Sequence, residues 1–228
     1  MQRVVIITGA SSGIGLECVK QFIKLDNLQV VAIARNIGLL NTIKDRSLIV
    51  KQCDVLDICN LRSIIRELEE KDFKIDCLIN NAGVAFNGEF TVISHDENQN
   101  MIDVNVKGLT NMLELVVPHM CRNLKGTIIN LSSLADRHPR PNTAVYAATK
   151  AYVKSISESL RLQNAKYNIR VTSISPGLVA TPLVAKLRGS NVDAIDVENF
   201  VAILKFIYLQ SQSICIRDLV VAPTSYEG

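Results

Sequence analysis

Three observations predict an α/β fold, a doubly wound parallel sheet of about seven strands flanked by helices, for this 228-residue chain. Short β-branched runs alternate with longer helical patterns from one end to the other. Those runs lack the polar alternation of a half-exposed sheet, as expected for parallel strands covered on both faces. No repeat, low-complexity stretch or linker divides the sequence, so residues 1–228 are expected to form one domain. Right-handed crossovers then generate an open sheet whose ligand crevice lies at the carboxyl ends of its strands.

Taken in order, strands are expected at residues 4–7, 29–34, 48–53, 77–79, 126–131, 169–174 and 218–222. Helices are expected at 13–25, 61–70, 97–120, 144–165 and 197–210. In the first helix Ile14, Cys18, Val19, Phe22 and Ile23 form one apolar stripe at helical spacing. The segment 183–197 has few aromatics and mixed charges (Lys186, Arg188, Asp193, Asp196); it reads either as a lid that orders on binding or as a simple connector.

Composition excludes several function classes. The net charge of +3 is spread along the chain without a basic block, which argues against nucleic-acid and membrane-surface partners. The first residues begin a strand at once, and no apolar run reaches the roughly 18 residues of a membrane helix. The six cysteines contain no C-x-x-C pair and read as reduced core residues. His95, His119 and His138 lack metal-ligand spacing, so no metal site is expected. A reducing, cytoplasmic compartment fits.

Thr8-Gly-Ala-Ser-Ser-Gly-Ile-Gly15 follows the first expected strand and opens the first helix. Glycines at 9, 13 and 15 let backbone N–H groups approach a pyrophosphate that the helix N-terminus also attracts, with Ser11, Ser12 and Ile14 completing the loop. No Gly-Lys-Ser/Thr follows, so this is not a nucleoside-triphosphate loop. At the end of the second strand the chain reads Ala34-Arg35-Asn36, with no carboxylate for a ribose diol. Arg35 instead suits a 2′-phosphate, which favours NADP(H), with a solvated surface arginine as the alternative. Asp54 and Val55 are placed to contact the adenine, and Asn81, Ala82 and Gly83 to line the adenosine ribose.

Tyr146 and Lys150 stand four residues apart in an expected helix, on one face. The ammonium is expected to lower the phenol's pKa toward working pH, giving an acid/base catalyst beside a nucleotide site.

Together these motifs resemble the short-chain dehydrogenases/reductases, in the single-domain branch with a T-G-x-x-x-G-x-G loop and a Y-x-x-x-K pair. The resemblance runs from Val4 to about Pro182 and covers Thr8–Gly15, Asp54, Asn80–Gly83, Asn105, Ser132-Ser133, Tyr146, Lys150 and Pro176-Gly177. It implies a Rossmann fold and hydride transfer between a nicotinamide cofactor and a small carbonyl compound or secondary alcohol. Tyr146 would be the general acid/base, Lys150 the cation that also bonds the nicotinamide ribose, Ser133 the donor to the carbonyl oxygen, and Asn105 the holder of a proton-relay water. Pro176, Gly177 and Thr181 would close over the nicotinamide. Residues 148–153 and 218–224 are similar to NADP-dependent hydroxy-acid or 3-hydroxy amino-acid dehydrogenases.

The resemblance also implies a homodimer or homotetramer packed through the helices at 97–120 and 144–165. In the loop 134–143 between Ser133 and Tyr146, Arg137 or Arg140 is a candidate for a substrate carboxylate, with solvated surface as the alternative. Two other functions compete with the leading one: a catalytically idle dinucleotide-binding regulatory protein, and an NAD(H)-dependent dehydrogenase of the same fold.

Overall fold

The computed structural model describes residues 2–189 and 192–226. Seven strands form one sheet in the order β3-β2-β1-β4-β5-β6-β7, and every neighbouring pair is parallel. They are β1 (Gln2–Thr8), β2 (Leu28–Ala34), β3 (Leu48–Gln52), β4 (Phe73–Asn80), β5 (Gly126–Leu131), β6 (Ile169–Pro176) and β7 (Asp218–Val221). Val4, Val5, Ile6 and Ile7 are all fully buried, because β1 carries helices on both faces.

One face is covered by α1 (Gly13–Phe22) and α7 (Val197–Leu209), whose Cys18, Phe22, Phe200 and Leu204 pack on Val5, Ile7 and Val30. The other is covered by α2 (Ile58–Glu70), α4 (Leu109–Arg122) and α5 (Ala144–Asn164), through Leu61, Met112, Val116 and Val153. The strand order reverses between β1 and β4, so the loops leaving those two strands part there and open the crevice.

Several boundaries differ from the sequence expectation. α1 stops at Phe22 rather than residue 25, and Asn27 follows in the left-handed region at φ 56°. α2 starts at Ile58 because the Asp57 carboxylate accepts from the Asn60 N–H at 3.0 Å, capping the helix. β4 begins at Phe73, four residues before the expected 77, as Gln2 and Arg3 of β1 pair with Phe73 and Lys74.

The single helix expected at 97–120 is three pieces: α3 (His95–Ile102), a π-helical turn (Asp103–Gly108) and α4. α3 starts earlier because Ser94 and Glu97 form a reciprocal capping box. The extra residue of the π turn re-aims the side chains around Asn105, which sits at its centre. The segment 183–197, expected as a lid or a simple connector, begins in a helix, α6 (Pro182–Arg188), capped by Thr181 Oγ1 accepting from the Val184 N–H. Of the cysteines, Cys18, Cys53 and Cys77 are buried, whereas Cys59 is exposed and Cys121 and Cys215 are half-buried, so the core reading holds for three. Among the described residues no helix is long and apolar enough to cross a membrane.

Candidate active site

The glycine loop is fastened by the ends of two strands. Thr8 Oγ1 accepts from the Asn81 and Ala82 N–H groups at 3.1 Å each, and Asn81 Nδ2 donates to the Thr8 and Gly9 carbonyls at 3.0 and 3.1 Å. The Asn81 amide nitrogen therefore holds the loop, while Asn81 also lines the cleft. Gly9 has φ +62°, and a Cβ there would stand 2.8 Å from Ala82 Cα. At Gly15 a Cβ would stand 2.2 Å from the Gly9 carbonyl oxygen. Only glycine permits these approaches.

Ser12 caps α1 without a side-chain hydrogen bond, so its hydroxyl leaves the first-turn N–H groups open. A positive helix end beside a cradle of close backbone approaches fits the pyrophosphate of a dinucleotide. The cleft of about 280 Å³ at this point is lined by Gly9, Ser11, Ser12, Gly13 and Ile14 of the loop and by Asn81, Ala82 and Gly83 after β4. Arg35, Asp54 and Val55 line its far end. Arg35 is largely exposed and lies 3.8 Å from Asp54, a loose surface pair that leaves the guanidinium open to a phosphate.

Ser133, Tyr146 and Lys150 meet in a second cavity, which Ile14, Asn81, Gly83 and Thr181 share with the cleft. Pro176 and Gly177 line it where β6 ends, and the Gly177 N–H donates to the Val221 carbonyl at 2.7 Å. Ser133 caps the short 3-10 turn Leu134–Asp136, accepting from the Ala135 N–H at 3.2 Å, and hydrogen-bonds Tyr146. Lys150 Nζ donates to the Leu131 carbonyl at 2.8 Å and stands 5.8 Å from the centre of the Tyr146 ring. Burial brings the Lys150 ammonium down to about 8, against the pull of the Asp136 carboxylate.

The expected lowering of the Tyr146 phenol is corrected here. Burial pushes it up, the Ser133 hydrogen bond opposes that rise, and the Asp136 charge adds to it. Lys150 faces the ring and bonds a carbonyl, so its charge is not spent on the phenol oxygen.

Asn105 is buried, and its amide is engaged by protein: Oδ1 accepts from the Val84 N–H at 2.8 Å, and Nδ2 donates to the Val84 carbonyl at 2.9 Å and to Thr149 Oγ1 at 3.1 Å. It thereby ties the loop after β4 to the turn of α5 that carries Tyr146 and Lys150. A Cβ on Gly83 would lie 3.3 Å from Asn105 Oδ1 and 3.6 Å from Lys150 Nζ, so both side chains flank that glycine.

Beyond Tyr146 a further cavity of about 160 Å³ carries His138, Arg140 and Arg188 together with Leu183, Leu187 and Tyr226. Arg140 donates to the Tyr226 hydroxyl at 3.2 Å. Arg137 does not line this cavity; it is paired with Asp136 at 2.7 Å and Asp218 at 2.8 Å. The sequence assigned no site role to Thr8, Thr149, Asp136, Arg188 or Tyr226. Thr8 opened a recognised motif and Asp136 and Thr149 stood beside one, whereas nothing local marked Arg188 or Tyr226 as site residues.

The profile of the short chain dehydrogenase family matches residues 3–191. An uncharacterized oxidoreductase of Staphylococcus saprophyticus is 40% identical over 188 residues, spanning 79% of this chain and 76% of that one. Among solved structures, a closed-form serine dehydrogenase complexed with NADP+ superimposes with a TM-score of 0.91 at 31% identity, over 99% of this chain and 97% of the other. A 4-hydroxyisoleucine dehydrogenase complexed with NADH gives 0.89 at 25% identity, with both chains fully covered.

Proposed function

We infer that this chain, which belongs to the short-chain dehydrogenase/reductase family, is an NADP(H)-dependent oxidoreductase interconverting a small carbonyl compound and its secondary alcohol. One observation carries the reading: Ser133, Tyr146 and Lys150 line a single cavity that shares its wall with the glycine-loop cleft. A nicotinamide bound there supplies or accepts the hydride, and the chain's own residues manage proton and charge. Tyr146 gives its hydroxyl proton to the carbonyl oxygen in reduction and takes one back in oxidation. Ser133 donates to the same oxygen as charge develops. Lys150, held by the Leu131 carbonyl beside the Tyr146 ring, is the cation proposed to bond the nicotinamide ribose. Asn105 keeps the Tyr146 and Lys150 turn in place through Val84 and Thr149, and a relay role for it rests on the family resemblance alone.

Arg35 is the residue for a 2′-phosphate, Asp54 and Val55 for the adenine, Asn81, Ala82 and Gly83 for the adenosine ribose, and Pro176, Gly177 and Thr181 for the nicotinamide. The two solved neighbours above divide between NADP+ and NADH, so the choice rests on Arg35 and the absence of an acid after β2.

The cavity beyond Tyr146 favours an anionic substrate. His138, Arg140 and Arg188 line it, and among the described residues its lining contains no Asp or Glu. The carboxylate of a small hydroxy or keto acid finds Arg188 and Arg140 there, whereas an ammonium finds no carboxylate among the described lining residues. A hydroxy acid without a charged amine therefore suits the cavity better than the amino acids named for the neighbouring structures. A single-domain, cytoplasmic homodimer or homotetramer completes the proposal; sedimentation as a monomer would correct the last part.

The test is a turnover screen with NADP+ and NAD+ on small hydroxy acids, matched amino acids and neutral secondary alcohols. Oxidation of hydroxy acids with NADP+ is expected. Activity on neutral alcohols alone would overturn the anion reading, and dinucleotide binding without any turnover would favour the regulatory alternative.

A further inference from the structure

Behind Ser133 lies a buried ion-pair cluster that touches the proposed catalytic groups from the side away from substrate. The Asp136 side chain is fully buried. Its Oδ2 accepts from Ser132 Oγ at 2.7 Å and Ser175 Oγ at 2.5 Å, and its Oδ1 accepts from Arg137 Nε at 2.7 Å. Arg137 continues outward, donating to both carboxylate oxygens of Asp218 on β7 at 2.8 and 3.1 Å. Lys154 of α5 stands 3.8 Å from the same carboxylate.

The cluster reaches Lys150 by two routes. Ser132 Oγ, which bonds Asp136, also lies 3.1 Å from the Lys150 carbonyl oxygen, and Lys150 Nζ bonds the carbonyl of Leu131, the residue before Ser132. Asp136 itself does not line the cavity holding Ser133, Tyr146 and Lys150. Burial raises its carboxyl, but hydrogen bonds from Arg137, Ser175 and Ser132 more than offset this and hold it below the usual carboxylate range. The charge thus stays on, in a dry setting where it is felt at a distance.

We propose that Asp136 is a positioning residue of the hydride-transfer site. It fixes the Ser133 turn against Lys150 through Ser132, and its charge holds Lys150 as an ammonium. The Arg137–Asp218 pair on the edge strand sets how much of that charge Lys150 feels. The proposal rests on the oxidoreductase reading for its role in turnover, but the electrostatic link can be read without turnover.

The charged and titratable groups around the site come from several elements. Asp136 and Arg137 belong to the turn after β5, Tyr146 and Lys154 to α5, and Asp218 to β7. On the far side of the cavity stand His138 and Arg140 of the loop and Arg188 of α6. β6 and the π turn present the neutral Ser175 and Asn105. Removing Asp136's charge leaves positive neighbours in excess, so Lys150 should release its proton more readily.

The experiment follows Lys150 Cε by carbon-13 NMR in cofactor-free protein with labelled lysines, the signal assigned by its loss in Lys150→Arg. The wild-type midpoint is expected at about 8. Asp136→Asn should lower it by about one pH unit or more. Asp218→Asn, at a partly exposed position, should move it in the same direction by less. If Asp136→Asn does not fold, the Asp218→Asn shift decides. In turnover, both limbs of the pH profile of kcat/KM should move to lower pH in Asp136→Asn, a change that mere loosening of the fold does not produce. Midpoints unchanged in both variants would overturn the proposal. A shifted midpoint in protein that turns over no carbonyl would remove the oxidoreductase reading instead and leave the electrostatic link standing.

Discussion

The glycine loop after β1 is built from backbone, whereas the cavity wall beyond Tyr146 is built from side chains that three separated segments bring together. At the loop, Gly9 and Gly15 allow the chain to approach Ala82 and itself more closely than any Cβ permits, and Thr8 and Asn81 lock the approach with four hydrogen bonds. At the wall, His138 and Arg140, Arg188 and Tyr226 come from the loop before α5, the end of α6 and the tail after β7. The first region tolerates almost no change; the second can vary its side chains without disturbing the sheet. In the proposed function, cofactor binding and substrate selection fall to parts of the molecule with different mechanical tolerance.

The largest expected effect lies in the loop. Gly15→Val places a Cβ where the Gly9 carbonyl oxygen already stands, so titration with NADPH should show affinity lost by more than about 100-fold, if the variant folds at all. Binding within threefold of wild type would mean that the loop yields and the contrast drawn above is false.

Next comes the stability cost of Lys150. Its folded-state value of about 8 lies below the ordinary 10.5, so between those pH values the unfolded chain binds a proton that the folded chain has released. Stability therefore rises with pH across that window, and below it the folded state bears the whole cost. Relative to Lys150→Met, wild type should gain about 3 kcal/mol from pH 8 to 10.5, measured by urea unfolding of both proteins. The comparison cancels the buried Cys18 and Cys77 thiols, which burial raises and which act in the opposite sense. A flat difference would show that Lys150 is solvated.

Arg35→Ala sharpens the contrast at the cleft's far end. It should weaken NADPH by about 2 kcal/mol, some 30-fold, and NADH hardly at all, because a charge-assisted contact to a phosphate is lost. Equal weakening of both would show that Arg35 does not read the phosphate. The smallest effect belongs to the rim: Arg188→Ala should raise KM for a hydroxy acid about tenfold with kcat little changed, since an exposed cation contributes uniform binding. A fall in kcat at constant KM would place Arg188 in the chemical step instead.

This contrast also explains what could be read in advance. The alternation of elements, the loop Thr8–Gly15, and the Tyr146 and Lys150 pair were legible because each depends on near neighbours in sequence or on a helical period. Seven strands were expected and seven form among the described residues, with shifted ends such as Phe73 and Ile58, where pairing with β1 and the Asp57 cap decide, whereas the break at the π turn and helix α6 were not expected. The π turn at Asn105 was not legible, since what accompanies it is Asn105's bonding to Val84 and Thr149, residues distant in sequence. For Arg137 the sequence left a substrate ligand and a solvated surface cation both open, and Asp218, eighty-one residues later, holds it in a pair that is neither. The upward push on the Tyr146 phenol likewise arises from burial and Asp136, which the four-residue spacing to Lys150 does not encode.

The central claim is that Tyr146 moves the proton in a hydride transfer. Its most direct test is Tyr146→Phe, with NADPH affinity and single-turnover oxidation or reduction measured on the same preparation. The account predicts affinity within about twofold of wild type and a rate lower by about 10³-fold or more, as for loss of a general acid/base. An undiminished rate would contradict it.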